Sequence, residues 1–268
     1  MNPANLGAGS YNGSVTLSGG SGTLQLNIAV TLTVIAPLPV IDGVVNAASY
    51  LTGGISPGEI VTVFGNSLGP ATGVGATIDS KGFIETTLAN VKVTFNGYPG
   101  PILYAGARQI NTIVPYELAG ASNVSVEAIF GSARSNSVTL PVVSNASGKG
   151  PGAILDVNYH LVSASNPVSA GSVIQIFATG QGQTSPGGVD GLIEPLSLPL
   201  PYPLLVAGAM IGGVPATIQY VGAAPGLVAG ALQVNVFVPN GVASGAAPLF
   251  VSFGGIDNSQ TGITVAIK

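Results

Sequence analysis

The chain has 268 residues, among them 40 glycines, 20 prolines and no cysteine. Six basic and ten acidic residues give a formal net charge of −4, which excludes the basic surface that a nucleic-acid partner requires. The lack of cysteine excludes disulfides and thiolate metal sites, and the abundance of glycine and proline with only 6% charged residues favours short strands over helices.

The first predicted element is a β-hairpin in residues 1–36, with strands at 11–18 and 23–35 and a glycine-rich turn at 19–22. Its second strand alternates apolar and polar residues for longer than the usual strand of about five or six residues. The apolar positions of this alternation are Leu24, Leu26, Ile28, Val30, Leu32 and Val34. Because an isolated hairpin is only marginally stable in water, we expect it to join a sheet of its own chain or of a neighbour.

Two sequence landmarks then occur twice along the chain. SPGEIVTVFG at 56–65 is echoed by SAGSVIQIFA at 169–178, and QINTIVP at 109–115 is echoed by QVNVFVP at 233–239. A repeat of about a hundred residues is long enough to bury its own core, so the pattern indicates two tandem domains.

The predicted fold is therefore all-β, with tandem immunoglobulin-like antiparallel β-sandwiches at 37–146 and 147–268 behind the hairpin at 1–36. The second copy differs from the first by a proline- and glycine-rich loop at 180–203 and by a further loop at 223–230. Strands are predicted at 60–64, 91–95, 110–114, 124–129, 137–140, 173–178, 216–221, 232–238, 249–253 and 263–267.

Several motifs in residues 44–268 carry a family resemblance. They are VNAASY at 45–50, ISPGEIVTVFG at 55–65, QIN at 109–111, IVPY at 113–116, ATGQGQT at 178–184 and APGLVAG at 224–230. With these motifs the region resembles the uncharacterised Solibacter-type C-terminal domain of large secreted acidobacterial proteins, and the segment before it resembles the last two strands of a BACON-type immunoglobulin-like domain. The resemblance implies secretion and supplies no catalytic residues.

Side chains suited to catalysis are scarce, and we predict no catalytic, cofactor-binding or metal site. His160 is the only histidine, and we expect it on a surface or turn. Asp190 with Glu194 is the nearest pair of acids for glycoside hydrolysis or calcium binding, followed by Asp79 with Glu85. We expect all four carboxylates to be solvated loop charges.

Tyrosines near predicted loops offer aromatic faces on which a sugar ring stacks. These tyrosines are Tyr98, Tyr116, Tyr159 and Tyr202, whereas Tyr104 and Tyr220 hold equivalent positions in the two copies and are predicted to be structural. They support the alternative function of a carbohydrate-binding or adhesive accessory module of a larger secreted protein, with polysaccharide as partner.

The main prediction comes from the low charge together with the hairpin. A soluble surface is usually a quarter or more charged, and large apolar patches usually mark interaction surfaces. We therefore predict a non-enzymatic structural protein, extracellular or at the cell surface, that self-assembles into a homopolymeric filament by N-terminal strand addition. No membrane-spanning segment is predicted, because threonines and the prolines Pro37 and Pro39 interrupt the longest apolar tract, at 26–41.

Overall fold

The structure is a computed structural model that describes residues 6–18, 25–144, 153–257 and 262–268. Within these ranges the chain consists of antiparallel β-sheets, with a short 3-10 helix at Tyr116–Leu118, which confirms the predicted all-β class. The chain divides into two compact units, Met1–Leu38 and Pro39–Lys268.

The first unit contains the predicted hairpin. Strands β1 (Gly9–Ser18) and β2 (Gln25–Val34) pair antiparallel over ten positions, from Gly9 opposite Val34 to Ser18 opposite Gln25. The predicted turn at 19–22 and the predicted apolar position Leu24 lie outside the described residues.

The second unit begins with a sandwich of two sheets. Its strands are β3 (Val40–Asn46), β4 (Ile60–Asn66), β5 (Val74–Gly75), β6 (Val91–Phe95), β7 (Tyr98–Gly100), β8 (Ile102–Ala105), β9 (Gln109–Ile113), β10 (Asn123–Phe130), β11 (Ala133–Arg134) and β12 (Val138–Pro141). One sheet has the order β3-β4-β9-β8-β5, and the other has the order β11-β10-β6-β7 with β12 also paired to β10.

The same arrangement recurs in the remainder of the chain. Its strands are β13 (Ala153–Asp156), β14 (Val173–Ala178), β15 (Thr184–Ser185), β16 (Tyr202–Pro203), β17 (Ala207–Ile211), β18 (Val214–Pro215), β19 (Ile218–Ala223), β20 (Leu232–Phe237), β21 (Gly245–Phe253), β22 (Ile256–Asp257) and β23 (Thr264–Ile267). The sheets have the orders β13-β14-β20-β19 and β22-β21-β17-β18, with β23 paired to β21, and β15 and β16 form a small separate ladder.

The repeated motifs make the same contacts in both copies. The Gly58 N–H donates to the Val114 carbonyl at 2.8 Å, and the Gly171 N–H donates to the Val238 carbonyl at the same distance. A second equivalent pair of hydrogen bonds, each of 2.9 Å, joins Gln109 to Asn111 and Gln233 to Asn235. The sequence repeat is therefore a structural repeat down to individual side chains.

Each copy has its own apolar core between its two sheets. The first core includes Val61, Val63, Val93, Phe95, Ile110 and Val126, and the second includes Ile174, Ile211, Val234, Val236, Leu249 and Val251. The predicted boundary between the copies, at residue 146, lies outside the described residues, and both copies belong to the compact unit that begins at Pro39.

Candidate functional site

The hairpin carries an unbroken apolar face. Directly opposed residues of an antiparallel pair project to the same side, so the register places Leu17 with Leu26 and Val15 with Ile28 on one face. That face, which we call the hairpin face, consists of Tyr11, Val15, Leu17, Leu26, Ile28, Val30, Leu32 and Val34. Leu17 is 52% exposed, Leu26 57% and Ile28 45%, so a substantial apolar area meets solvent. Assignment of this face as a strand donor remains a prediction.

The opposite side of the hairpin is polar, and it fixes the register. The Thr31 hydroxyl donates to the Asn12 side-chain oxygen at 2.9 Å, and Thr16 makes the corresponding bond to Asn27 across the two strands. Within the described residues β1 and β2 pair with each other alone, so the outer edge of each strand presents unpaired backbone groups.

A second prominent feature is the contact between the two sandwiches, which we call the seam. It is built by the two loops that distinguish the second copy. The Ile84 N–H donates to the Gly191 carbonyl at 2.7 Å, and the Ile193 N–H donates to the Gly82 carbonyl at 2.9 Å. Just before the first of these loops, the Thr179 hydroxyl accepts from the Ile60 N–H at 2.8 Å. Sequence reasoning identified both loops but missed what they contact.

Close packing at the seam depends on glycine. A Cβ added to Gly230 would lie 2.2 Å from the Gly58 carbonyl oxygen, and one added to Gly188 would lie 2.2 Å from the Tyr116 ring. An apolar cluster fills the space beside these contacts, formed by Ile60, Ile84, Leu103, Ile113, Ile193 and Val228. The seam thus has the dense packing of a protein interior.

Acidic side chains also meet at the seam. The Asp190 carboxylate accepts from the Tyr116 N–H at 3.0 Å, and the Glu117 carboxyl group lies beside it. Burial, and then the contact with Glu117, raises the pKa of Asp190 to about 7. Burial also raises the pKa of Glu194, and burial beside Asp190 and Glu194 raises that of Tyr116.

These positions correct two expectations. Glu194 is buried and Asp190 is half-buried, so neither is the solvated loop charge that we expected, because the loop that carries them folds onto the first sandwich. For the same reason Tyr116 is enclosed in the seam and offers no open aromatic face. Asp79 and Glu85 are exposed, as expected.

A buried polar network lies in the SPGE motif of the first copy. Glu59 is 1% exposed, and its carboxylate oxygens accept from the Asn46 side-chain amide at 2.8 Å and the Ser56 N–H at 2.7 Å. Asn46 in turn accepts from the Ala48 and Ser49 N–H groups, so the network closes the turn after β3. Burial raises the pKa of Glu59 to about 7 despite these hydrogen bonds.

The remaining predicted residues lie apart from the seam. His160 is exposed on the turn after β13, where the Asp156 carboxylate accepts from the His160 N–H at 3.0 Å and its other oxygen lies 3.5 Å from Nδ1. Tyr98, Tyr159 and Tyr202 are exposed.

Tyr104 and Tyr220 occupy equivalent strands, β8 and β19, as predicted. The Tyr220 hydroxyl donates to the Ala223 carbonyl at 2.6 Å, a structural role, and burial raises its pKa.

Over the part of the chain that the structure describes, no group of three or more histidine, aspartate or glutamate side chains is arranged to hold a metal ion. No helix in the same residues is long and apolar enough to cross a membrane.

Comparison with known proteins gives a likeness among solved structures. No family model matches the chain, and no curated protein matches it in sequence, so the family resemblance described above stays a prediction. Among solved structures the chain is similar to FdeC, a broadly conserved adhesin of Escherichia coli that elicits protection against urinary tract infections. The sequence identity is 12% and the TM-score is 0.28, over 90% of this chain and 68% of that one. A likeness of this size does not bear on function.

Proposed function

We propose that the protein is a non-enzymatic structural subunit, outside the cell or at its surface, that assembles into filaments through its N-terminal hairpin. The observation that supports this proposal is the combination of an exposed apolar face with open backbone edges on one hairpin. Strand addition to a sheet of a neighbouring copy would pair the open backbone edge and cover the exposed apolar face in one contact.

The energetic drive comes from the area still exposed on the hairpin face. Full burial of a leucine or isoleucine side chain stabilises a protein by about 1.5–3 kcal/mol relative to exposure. Since Leu26 and Ile28 keep roughly half of their surface in water, each contributes about 1 kcal/mol on docking. With Val15 and Leu17 opposite them, the face supplies several kcal/mol before any backbone pairing is counted.

Electrostatics favour a copy of the same chain as partner. No Asp, Glu, Lys or Arg occurs before Asp42, so the hairpin has no charged side chain with which to attract an oppositely charged surface. Contact between the hairpin of one copy and the body of another uses two different surfaces, and repetition of such a contact gives an open chain of subunits. We expect assembly to depend weakly on salt.

The test is electron microscopy and sedimentation of the full chain and of two matched variants. Ile28→Lys places a charge on the hairpin face, whereas Ala29→Lys places the same charge on the exposed polar side one position away. Filaments should be lost in Ile28→Lys and kept in Ala29→Lys. A native chain that stays monomeric at high concentration, or two variants that assemble equally well, would refute the proposal.

The second candidate function is carbohydrate binding, and the exposed tyrosines favour it. Tyr159 is 68% exposed on the turn after β13, where its ring is free to stack on the apolar face of a sugar. Pull-down with insoluble polysaccharides, comparing the native chain with Tyr159→Ala and Tyr202→Ala, tests this candidate. Saturable binding that both substitutions weaken would support it, and equal retention of all three proteins would count against it.

A further inference from the structure

The second sandwich carries an exposed apolar segment at residues 195–206, which we call the strap. Its outward side chains are Leu196, Leu198, Tyr202, Leu204 and Val206, and Leu196 and Val206 are each more than 80% exposed. Leu200 and Pro203 point the other way and are buried, so they anchor the strap to the sandwich. Exposed apolar side chains concentrated in this way usually mark an interaction surface.

Hydrogen bonds hold the strap in place, so it presents a formed surface. The Leu204 N–H donates to the Gln183 carbonyl at 2.9 Å, and the Ala223 N–H donates to the Pro201 carbonyl at 2.7 Å. Tyr202 also pairs with Ser185 in the ladder between β15 and β16.

The strap offers side chains and not a backbone edge. Pro195, Pro199, Pro201 and Pro203 lack the N–H group that strand pairing requires. A partner therefore has to meet the strap with an apolar face, and pairing of the partner's strand edges takes place elsewhere.

Charge narrows the choice of partner. No Asp, Glu, Lys or Arg lies between Glu194 and Asp257, so a charged partner would lose the hydration of its ions at the strap without gaining counter-charges. The hairpin face of a second copy fits this requirement, because it is apolar, fixed in register and equally free of charge.

We infer that the strap of one copy is the surface that covers the hairpin face of the next copy in the filament. This inference rests on the proposed function and specifies the surface that covers the hairpin face, not the strand that pairs with its edge. Because the hairpin and the strap are different surfaces, a chain of joined copies keeps a free hairpin on its first copy and a free strap on its last. Growth by addition of further copies then follows directly.

Complementary charges test the contact. Leu26→Lys on the hairpin face and Leu198→Glu on the strap should each raise the threshold concentration for assembly of the full chain at least tenfold, because each leaves a charge unpaired against an apolar surface. The double variant Leu26→Lys/Leu198→Glu pairs the two charges at every contact, so its threshold concentration should return most of the way to the native value. As control, Leu26→Lys/Met210→Glu places the acid on a partly exposed residue outside the strap and should not recover it.

The outcomes separate this inference from the proposed function. If Leu26→Lys prevents assembly while Leu198→Glu has no effect, the strap does not cover the hairpin face, although assembly through the hairpin stands. If Leu26→Lys mixed with Leu26→Glu assembles as well as the native chain, hairpins pair with each other and the inference is wrong. If Leu26→Lys has no effect on assembly, the proposed function itself fails.

Discussion

Replacement of Gly230 by alanine tests whether the seam depends on the direct approach of two backbones. Gly230 has φ +106°, and a Cβ at this position would lie 2.2 Å from the Gly58 carbonyl oxygen. A backbone oxygen cannot rotate away as the end of a side chain can. The two sandwiches therefore have to move apart locally until that contact reaches at least 3.0 Å.

Two free-energy costs set the loss of stability in Gly230→Ala. A non-glycine residue in this region of φ costs about 1–3 kcal/mol wherever it occurs. Separation of the seam adds the loss of nearby hydrogen bonds, each worth about 1 kcal/mol net, among them the bond from the Ile193 N–H to the Gly82 carbonyl. We expect Gly230→Ala to lower the free energy of unfolding by about 4 kcal/mol in total.

Gly241→Ala is the matched control, because it isolates the first cost. Gly241 has φ +87°, and a Cβ there meets no atom within 4 Å. Urea unfolding of both variants gives the two free energies, and amide hydrogen exchange reports the seam directly. Protection should fall at Ile84 and Ile193 in Gly230→Ala and remain at the native level in Gly241→Ala. Equal losses of stability and equal protection in the two variants would refute the role of the seam contact.

Two further predictions concern the seam. The pKa of Asp190 is raised to about 7, so between about pH 4 and 7 the folded chain holds a proton that the unfolded chain has released, and the free energy of unfolding falls as pH rises across this window. Asp190→Asn should therefore reduce this decline in pH-dependent unfolding, and a decline as steep as that of the native chain would contradict the raised pKa. Gly188→Ala should displace the Tyr116 ring and alter its near-ultraviolet circular dichroism, because the added Cβ would lie 2.2 Å from that ring. Gly187→Ala, with nothing within 4 Å, should leave the spectrum native, and a native spectrum for both variants would contradict this placement of Tyr116.

Most of the strands could be predicted from local pattern alone. The alternation of β2 and the repeated motifs depend on residues close in sequence. In the structure β2 is a strand as predicted, and the repeated motifs make the same contacts in both copies. The ends of the strands were harder to predict. Strand β21 begins at Gly245, four positions before the predicted 249, because residues 245–248 pair with β23 from the far end of the chain.

The seam could not be predicted, because it depends on where two loops come to rest. Nothing near Asp190 in sequence reveals that Tyr116 and Glu117, more than seventy positions earlier, lie against it. A usable signal was present nonetheless: loops found in one copy and not in the other cannot serve the common sandwich, and therefore need another contact.

The sequence by itself determined the all-β class, the repeat and the amphipathic hairpin, since backbone propensity and a period of two act between neighbouring residues. Tertiary structure alone decided which charges are buried and which glycines permit close approach. Burial and pKa depend on all surrounding atoms, including those contributed by distant segments, as the raised pKa of Asp190 and the contact of Gly230 with Gly58 illustrate.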